Sequence, residues 1–221
     1  KNFFFYDPKL LFYGFLIVFF ASYGQTFFIS LFNTEIRIFY GLSDGEFGLV
    51  YAISTLLSSF ILISFAKLID YIDLRFYSLI VTAGLLLACV GMFLLVKNVF
   101  YLFIIIFMLR FFGQGAMTHA GETTMARYFG KNRGKAISIA TLGGMAGVMF
   151  LPYVVLNYFK NLEMNQLWFY ASISIIFFIP FMFFALSDQK ARHNKFDTSL
   201  KKDSLNIKLR TRDIIKDKKF Y

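Results

Sequence analysis

Long uncharged apolar runs alternate with short polar breaks along this chain, and the runs carry no period-two alternation. LFIIIFML, at 102–109, is apolar at every position. That excludes a transmembrane barrel, whose strands alternate, and fits helices that are apolar all round. Crossing a bilayer takes about 20 residues per helix. The pattern predicts six membrane helices, over approximately 10–33, 47–66, 76–96, 100–126, 136–159 and 167–187. The separators YGLSDGE, KLIDYIDLR, KN, RYFGKNRGK and KNLEMNQ carry turn or charge signals. The expected fold class is therefore all-α transmembrane, a six-helix bundle over 1–187. A weak echo between runs one to three and four to six points to two three-helix repeats, the hydropathy symmetry of inverted-repeat transporters.

Composition agrees. The chain is 58% hydrophobic, against roughly 45–50% in soluble domains. Its net charge of +10 raises the question of a nucleic-acid partner. The distribution argues against one, because the basic residues stand between the apolar runs and in one tail. With the N-terminus inside, the inner segments hold Lys1, Lys9, Lys67, Arg75, Arg127, Lys131, Arg133, Lys135 and the basic tail. The outer segments hold Arg37, Lys97 and Lys160. The positive-inside rule then puts both ends of this multi-pass segment in the cytoplasm, with a bacterial inner membrane as the expected location. Lys1 is not a start Met and no small-residue cleavage site follows the first run, which reads as a retained helix. Residues 188–221, rich in Lys and Asp, read as a solvated basic cytoplasmic linker. Three helices, a short link, three more helices and this linker suggest the first half of a longer protein. Cys89 lies inside an apolar run, so no disulfide framework is expected and its thiol reads as a packing group.

Arg110 is the residue this pattern accommodates worst. Insertion of such a charge at a helix centre costs roughly 2.5–3.5 kcal/mol, and a charge kept at that depth normally faces protein or a water-filled cavity. It lies about 15 Å, at 1.5 Å per residue, from the outer end of helix four, near the midplane. On a wheel of 100° per residue, Gln114, Met117, Thr118, Gly121 and Met125 fall within about 80° of it. A guanidinium fork there suits a carboxylate, which it can bind bidentately. The alternative is a structural Arg, hydrogen-bonded to carbonyls of a broken neighbouring helix or to a buried acid.

The other candidates divide similarly. His119 and Glu122, about 180° and 120° around the helix from Arg110, are a possible proton site. Because both lie off the Arg110 face, interhelical polar glue or a gate ion pair with Arg127 is the favoured reading. On helix one, Ser22, Gln25, Ile29 and Asn33 share a face, and Gln25 is a substrate contact or an interhelical bond. In AKLIDYIDLR, Asp70, Asp73 and Arg75 form a charged turn or a cytoplasmic gate, with Asp70 capping a helix or pairing with an Arg. Gly143 and Gly147, spaced GxxxG, and Pro152 read as packing and bending devices in helix five. No phosphate loop, paired Cys/His metal spacing or Ser/His nucleophile set occurs in the sequence. No enzymatic activity, cofactor or metal is expected, and ATP-driven pumping is disfavoured.

These motifs, in their order, resemble the N-terminal half of the major facilitator superfamily. AKLIDYIDLR is similar to the family's Gly-x-x-x-Asp-Arg-x-Gly-Arg-Arg loop between helices two and three, matching at Asp70 and Arg75. Ala66, Tyr71, Asp73 and Leu74 depart from it. RFFGQG resembles the helix-four motif at Arg110, and ARYFGKNRGKAISIATLGG the helix-four to helix-five segment at Arg127, Arg133, Gly134 and Gly143. Val148 stands where the antiporter pattern on helix five has Pro, so the likeness does not extend to drug antiport. The resemblance implies half of a twelve-helix fold, whose central cavity is lined from this side by helices one and four. Gln25, Arg110, Gln114 and Thr118 would then stand at the substrate and the tail would join the two halves. The expected function is secondary active transport of a small solute, an organic anion such as a monocarboxylate, driven by a proton or ion gradient or by exchange. The expected partners are that solute, the lipid bilayer and a C-terminal half. A non-transporting membrane scaffold or receptor is the alternative.

Overall fold

Among the described residues, six helices are long and apolar enough to cross a membrane: Pro8–Ser30, Asp44–Asp70, Leu74–Leu94, Val99–Tyr128, Gly130–Tyr158 and Met164–Ala185. The computed structural model describes residues 3, 6–159, 161–194 and 196, all of them helix, turn or connecting coil, with no strand among them. Contacts divide the chain into two units, Lys1–Ser187 and Asp188–Tyr221. Of the second unit, which coincides with the expected linker, 188–194 and 196 are described, and 189–194 are helical. The rest of that linker, and Lys1 and Lys160 of the orientation argument, lie outside the described residues.

Among the described residues of the first unit, the spans and the link after the first comprise nine α-helices: α1 (Pro8–Ala21), α2 (Thr26–Ser30), α3 (Asn33–Tyr40), α4 (Asp44–Phe65), α5 (Leu74–Leu94), α6 (Val99–Met108), α7 (Thr118–Tyr128), α8 (Arg133–Tyr158) and α9 (Met164–Ala185). Local chemistry sets their ends. Asp7 caps α1 by accepting from the Leu10 N–H at 3.1 Å, and Pro8 occupies the first turn, where its missing donor costs nothing. Ser43 and Glu46 form a reciprocal capping box that starts α4 at Asp44, earlier than expected. Asn98 accepts from Phe100 and Tyr101 to start α6, after a tight link in which Leu95 adopts a left-handed φ of 44°.

α1 is the central element, packed along α7 and α8, while α5 packs along α9 and α4 along α6. Small residues permit the closest approaches. A Cβ on Gly143 would stand 2.8 Å from the Phe15 carbonyl carbon, and one on Gly147 2.7 Å from the Ser22 Cβ. On the other side of α1, a Cβ on Gly121 would meet Val18 at 2.6 Å and Ile17 at 3.0 Å. The GxxxG pair thus presses α8 against the α1 backbone. Pro152, inside α8, cannot bond back to the Val148 carbonyl. Trp168 of α9, fully buried, meets Phe28 edge-on at 5.3 Å and Phe32 at 5.5 Å, anchoring α2.

Two spans depart from the regular helices that the apolar pattern predicts. The first is broken: Ser22–Gly24 form one 3-10 turn, and Gln25 is extended (φ −80°, ψ 152°) before α2 resumes. The face expected to carry Ser22, Gln25, Ile29 and Asn33 is therefore not one continuous face, and Asn33 begins the separate α3. The fourth span is π-helical over Leu109–Met117. Its i→i+5 bonds widen the helix, so each residue turns through less than 100° and the wheel loses phase beyond Arg110.

Candidate functional site at the broken helix

The break and the π-helical stretch face each other, and Arg110 joins them. Its Nη1 donates to the Gly24 carbonyl at 3.2 Å and to Thr26 Oγ1 at 3.1 Å, one residue on either side of Gln25. Its Nε donates to Thr55 Oγ1 of α4 at 3.2 Å. The guanidinium carbon stands 5.3 Å from the centre of the Tyr51 ring, a cation–π distance, and the Tyr51 hydroxyl donates to Thr26 Oγ1 at 2.9 Å. Arg110 is 6% exposed, and among the described residues no carboxylate pairs with it. The cation is thus held entirely by neutral oxygens and a ring face. Three bonds from a five-donor fork leave it capacity for a further acceptor.

The Gly24 bond answers a backbone need. Where the 3-10 turn stops, the helical bond that would take that carbonyl is gone, and a buried carbonyl without a partner is costly in an apolar medium. The structural alternative for Arg110, a tether to a broken neighbouring helix, therefore has direct support. Both readings place the guanidinium at one junction of three spans.

The remaining candidates fall into separate places. The side chain of Gln25 makes no hydrogen bond to Arg110, whose contacts go to its neighbours Gly24 and Thr26 instead. Gln114 Oε1 and Thr118 Oγ1, following Arg110 on the fourth span, are buried without a hydrogen-bond partner. His119 meets the Thr123 hydroxyl at 3.3 Å rather than Glu122, and Glu122 pairs with neither His119 nor Arg127. Arg127 instead pairs with Asp70 and donates to the Ile69 carbonyl at 3.3 Å. The turn after α4 thus holds the end of α7. Asp73, not Asp70, caps α5, accepting from the Arg75 N–H at 2.7 Å. Arg75 reaches in turn to the end of α9, donating from Nε to the Leu186 carbonyl at 2.7 Å and from Nη2 to the Ser187 carbonyl. A cation there satisfies unpaired carbonyls and opposes the negative end of the helix dipole.

Thr26, Tyr51 and Thr55 are the site residues that sequence reasoning passed over. Their sequence signal is a hydroxyl in an apolar run, as in YAISTLL around Thr55. Nothing in the pattern says that the three converge.

No curated protein matches the chain, and no solved structure matches it. The family model described as Major Facilitator Superfamily matches residues 11–220. With that match over most of its length, and with six apolar spans of which three meet at a buried arginine, the chain belongs to the major facilitator superfamily of membrane transporters.

Proposed function

We propose that this bundle is the N-terminal half of a secondary active transporter that moves a small organic anion, such as a monocarboxylate, by alternating access. Arg110 carries the reading: a desolvated cation with neutral partners and spare donors, beside a break in the first span. In surroundings of low dielectric such a cation attracts an anion far more strongly than it would in water, and its fork matches a carboxylate. Thr26 and Tyr51 stand over it and complete the contact, with Gln25, Gln114 and Thr118 flanking the junction. His119 and Glu122, further along the same span, supply titratable groups for a coupling proton, as in a symporter. Asp70, Arg75 and Arg127 act as a cytoplasmic gate.

A C-terminal half has somewhere to dock. Within the apolar 18-residue stretch of each span, 11% of positions are buried in the second and 22% in the fifth, against 56% in the first and third. The uncovered faces of α4 and α8, with Leu49, Ile53 and Phe60 on one and Met145 and Met149 on the other, are offered to that half and to lipid. The positive-inside distribution supports cytoplasmic ends, in a bacterial inner membrane.

Uptake of labelled monocarboxylates by cells expressing the full-length protein tests the proposal, with Arg110→Lys and Arg110→Ala as variants and unfolding temperature as the folding control. Loss of uptake in both, with Arg110→Lys still folded, is the expected outcome. Wild-type uptake unchanged by either variant would overturn the site. The scaffold reading is favoured by the Gly24 bond. It requires no uptake by the wild type and a fall in stability for Arg110→Ala.

A further inference from the structure

We propose that the groove between the start of α1 and the end of α9 binds an anionic phospholipid of the surrounding bilayer. This groove, of about 440 Å³, is lined by Pro8, Lys9, Phe12, Phe181, Phe184 and Ala185. Pro8 opens the first span and Ala185 closes the last, so both lie where the apolar region ends and the headgroup layer begins.

The lining is ordered along the membrane normal. Lys9 is at the outer rim, its ammonium 4.9 Å from the centre of the Phe184 ring. Phe12 and Phe181 lie about one turn deeper on their helices, their rings meeting edge to face at 5.0 Å. Apart from Lys9, the lining side chains are apolar, and Phe12 and Phe184 are 49% and 60% exposed on the outer surface of the bundle. A groove of this kind, opening onto hydrocarbon, offers a water-soluble ligand no polar partner below its rim. An acyl chain fits it, with rings to lie against and no hydrogen bonds to satisfy.

Charge selects the headgroup. Because the spans alternate in direction, Lys9 shares its end of the bundle with Lys67, Lys131, Arg133 and Lys135. A membrane surface facing that end is enriched in anionic lipid by attraction, and the ammonium at the rim then meets the phosphate of one lipid whose chain occupies the groove. The Phe184 ring under the ammonium keeps the charge at this end of the groove, where the apolar region stops.

The test uses the full-length protein in detergent, with native mass spectrometry of lipids retained from equal mixtures of phosphatidylglycerol and phosphatidylcholine. The wild type is expected to retain phosphatidylglycerol with about fivefold preference, the share one lysine contributes to an anionic surface. Lys9→Gln should reduce the preference to about one, and Lys9→Arg should restore it. Lys67→Gln, at the same end but away from the groove, should leave it unchanged. Glycerol phosphate, which has the anion without the chain, should not displace the lipid. Equal retention of both lipids by the wild type would overturn the proposal. So would an undiminished preference in Lys9→Gln, an equal loss in Lys67→Gln, or displacement by glycerol phosphate.

Discussion

Gly24 and Gly113 meet backbone to backbone: a Cβ on Gly113 would stand 2.7 Å from the Gly24 Cα and 2.9 Å from its nitrogen. This contact lets the two irregular stretches approach until Arg110 reaches the Gly24 carbonyl. The 3-10 turn, the extended Gln25 and the π-helical stretch form one joint, with its glycines at the contact and its arginine bridging the gap.

Gly113→Ala should consequently disturb the joint. The added methyl meets backbone, which cannot rotate away, and overpacking of this kind costs about 1–3 kcal/mol. Thermal unfolding in detergent should show a fall for Gly113→Ala and no fall for Gly134→Ala, where a Cβ meets open space. Equal behaviour of the two would mean that the close approach carries no stability.

Tyr51 separates two parts of the Arg110 environment. Tyr51→Phe keeps the ring beneath the guanidinium and removes the bond to Thr26 Oγ1, whereas Tyr51→Leu removes both. A cation–π contact contributes about 0.5–1 kcal/mol where exposed and about 2 or more where desolvated. For the proposed anion, KM should therefore change little in Tyr51→Phe and severalfold in Tyr51→Leu. A larger effect from the hydroxyl than from the ring would instead assign the role to the Tyr51–Thr26 bond.

The pair between Asp70 and Arg127 joins the turn after α4 to the end of α7. Its carboxylate side chain is 59% exposed, so the bridge itself contributes within about 1 kcal/mol. Asp70→Asn should lower the unfolding temperature only slightly while changing the transport rate, if the pair opens and closes as a gate. Exchanging the charges, Asp70→Arg with Arg127→Asp, should recover part of that rate. Equal rates in all three proteins would remove the gate.

Much of the fold was legible because apolar length is a strong signal. Six apolar stretches of about 20 residues are each long enough to cross a bilayer, and the charged breaks bound them. Neither the break at Ser22–Gln25 nor the π-helical stretch was legible. Each faces the other across the bundle: Gly24, in the break of the first span, lies against Gly113 of the π-helical stretch, and no local rule places those two residues together. Arg110 was conspicuous because a charge in hydrocarbon is conspicuous anywhere. Thr26, Tyr51 and Thr55 were not, since hydroxyls are common in membrane helices and gain meaning here only from the arginine they surround. The wheel that grouped Gln114 and Thr118 with Arg110 assumed a regular α-helix where this chain is wound more loosely.

Arg75 offers a last test, because it caps a helix far from it in sequence. Its Nε and Nη2 take the Leu186 and Ser187 carbonyls, two of those left unpaired where α9 ends. Its own backbone N–H is bound by Asp73, so the start of α5 and the end of α9 are held by adjacent groups. Arg75→Ala frees those carbonyls and removes a cation from the negative end of a helix dipole, worth about 0.3–1 kcal/mol where exposed. Arg75→Lys keeps the charge but cannot hold both carbonyls with a planar fork. Hydrogen exchange should therefore quicken at the end of α9, around Ala185–Ser187, most in Arg75→Ala and less in Arg75→Lys. Exchange in α6, which follows the opposite end of α5 from Arg75, should be unchanged. Unaltered exchange at the end of α9 in Arg75→Ala would show that the helix end is held by its own packing, with Met182 and Ala185 fully buried, and that the arginine adds nothing to it.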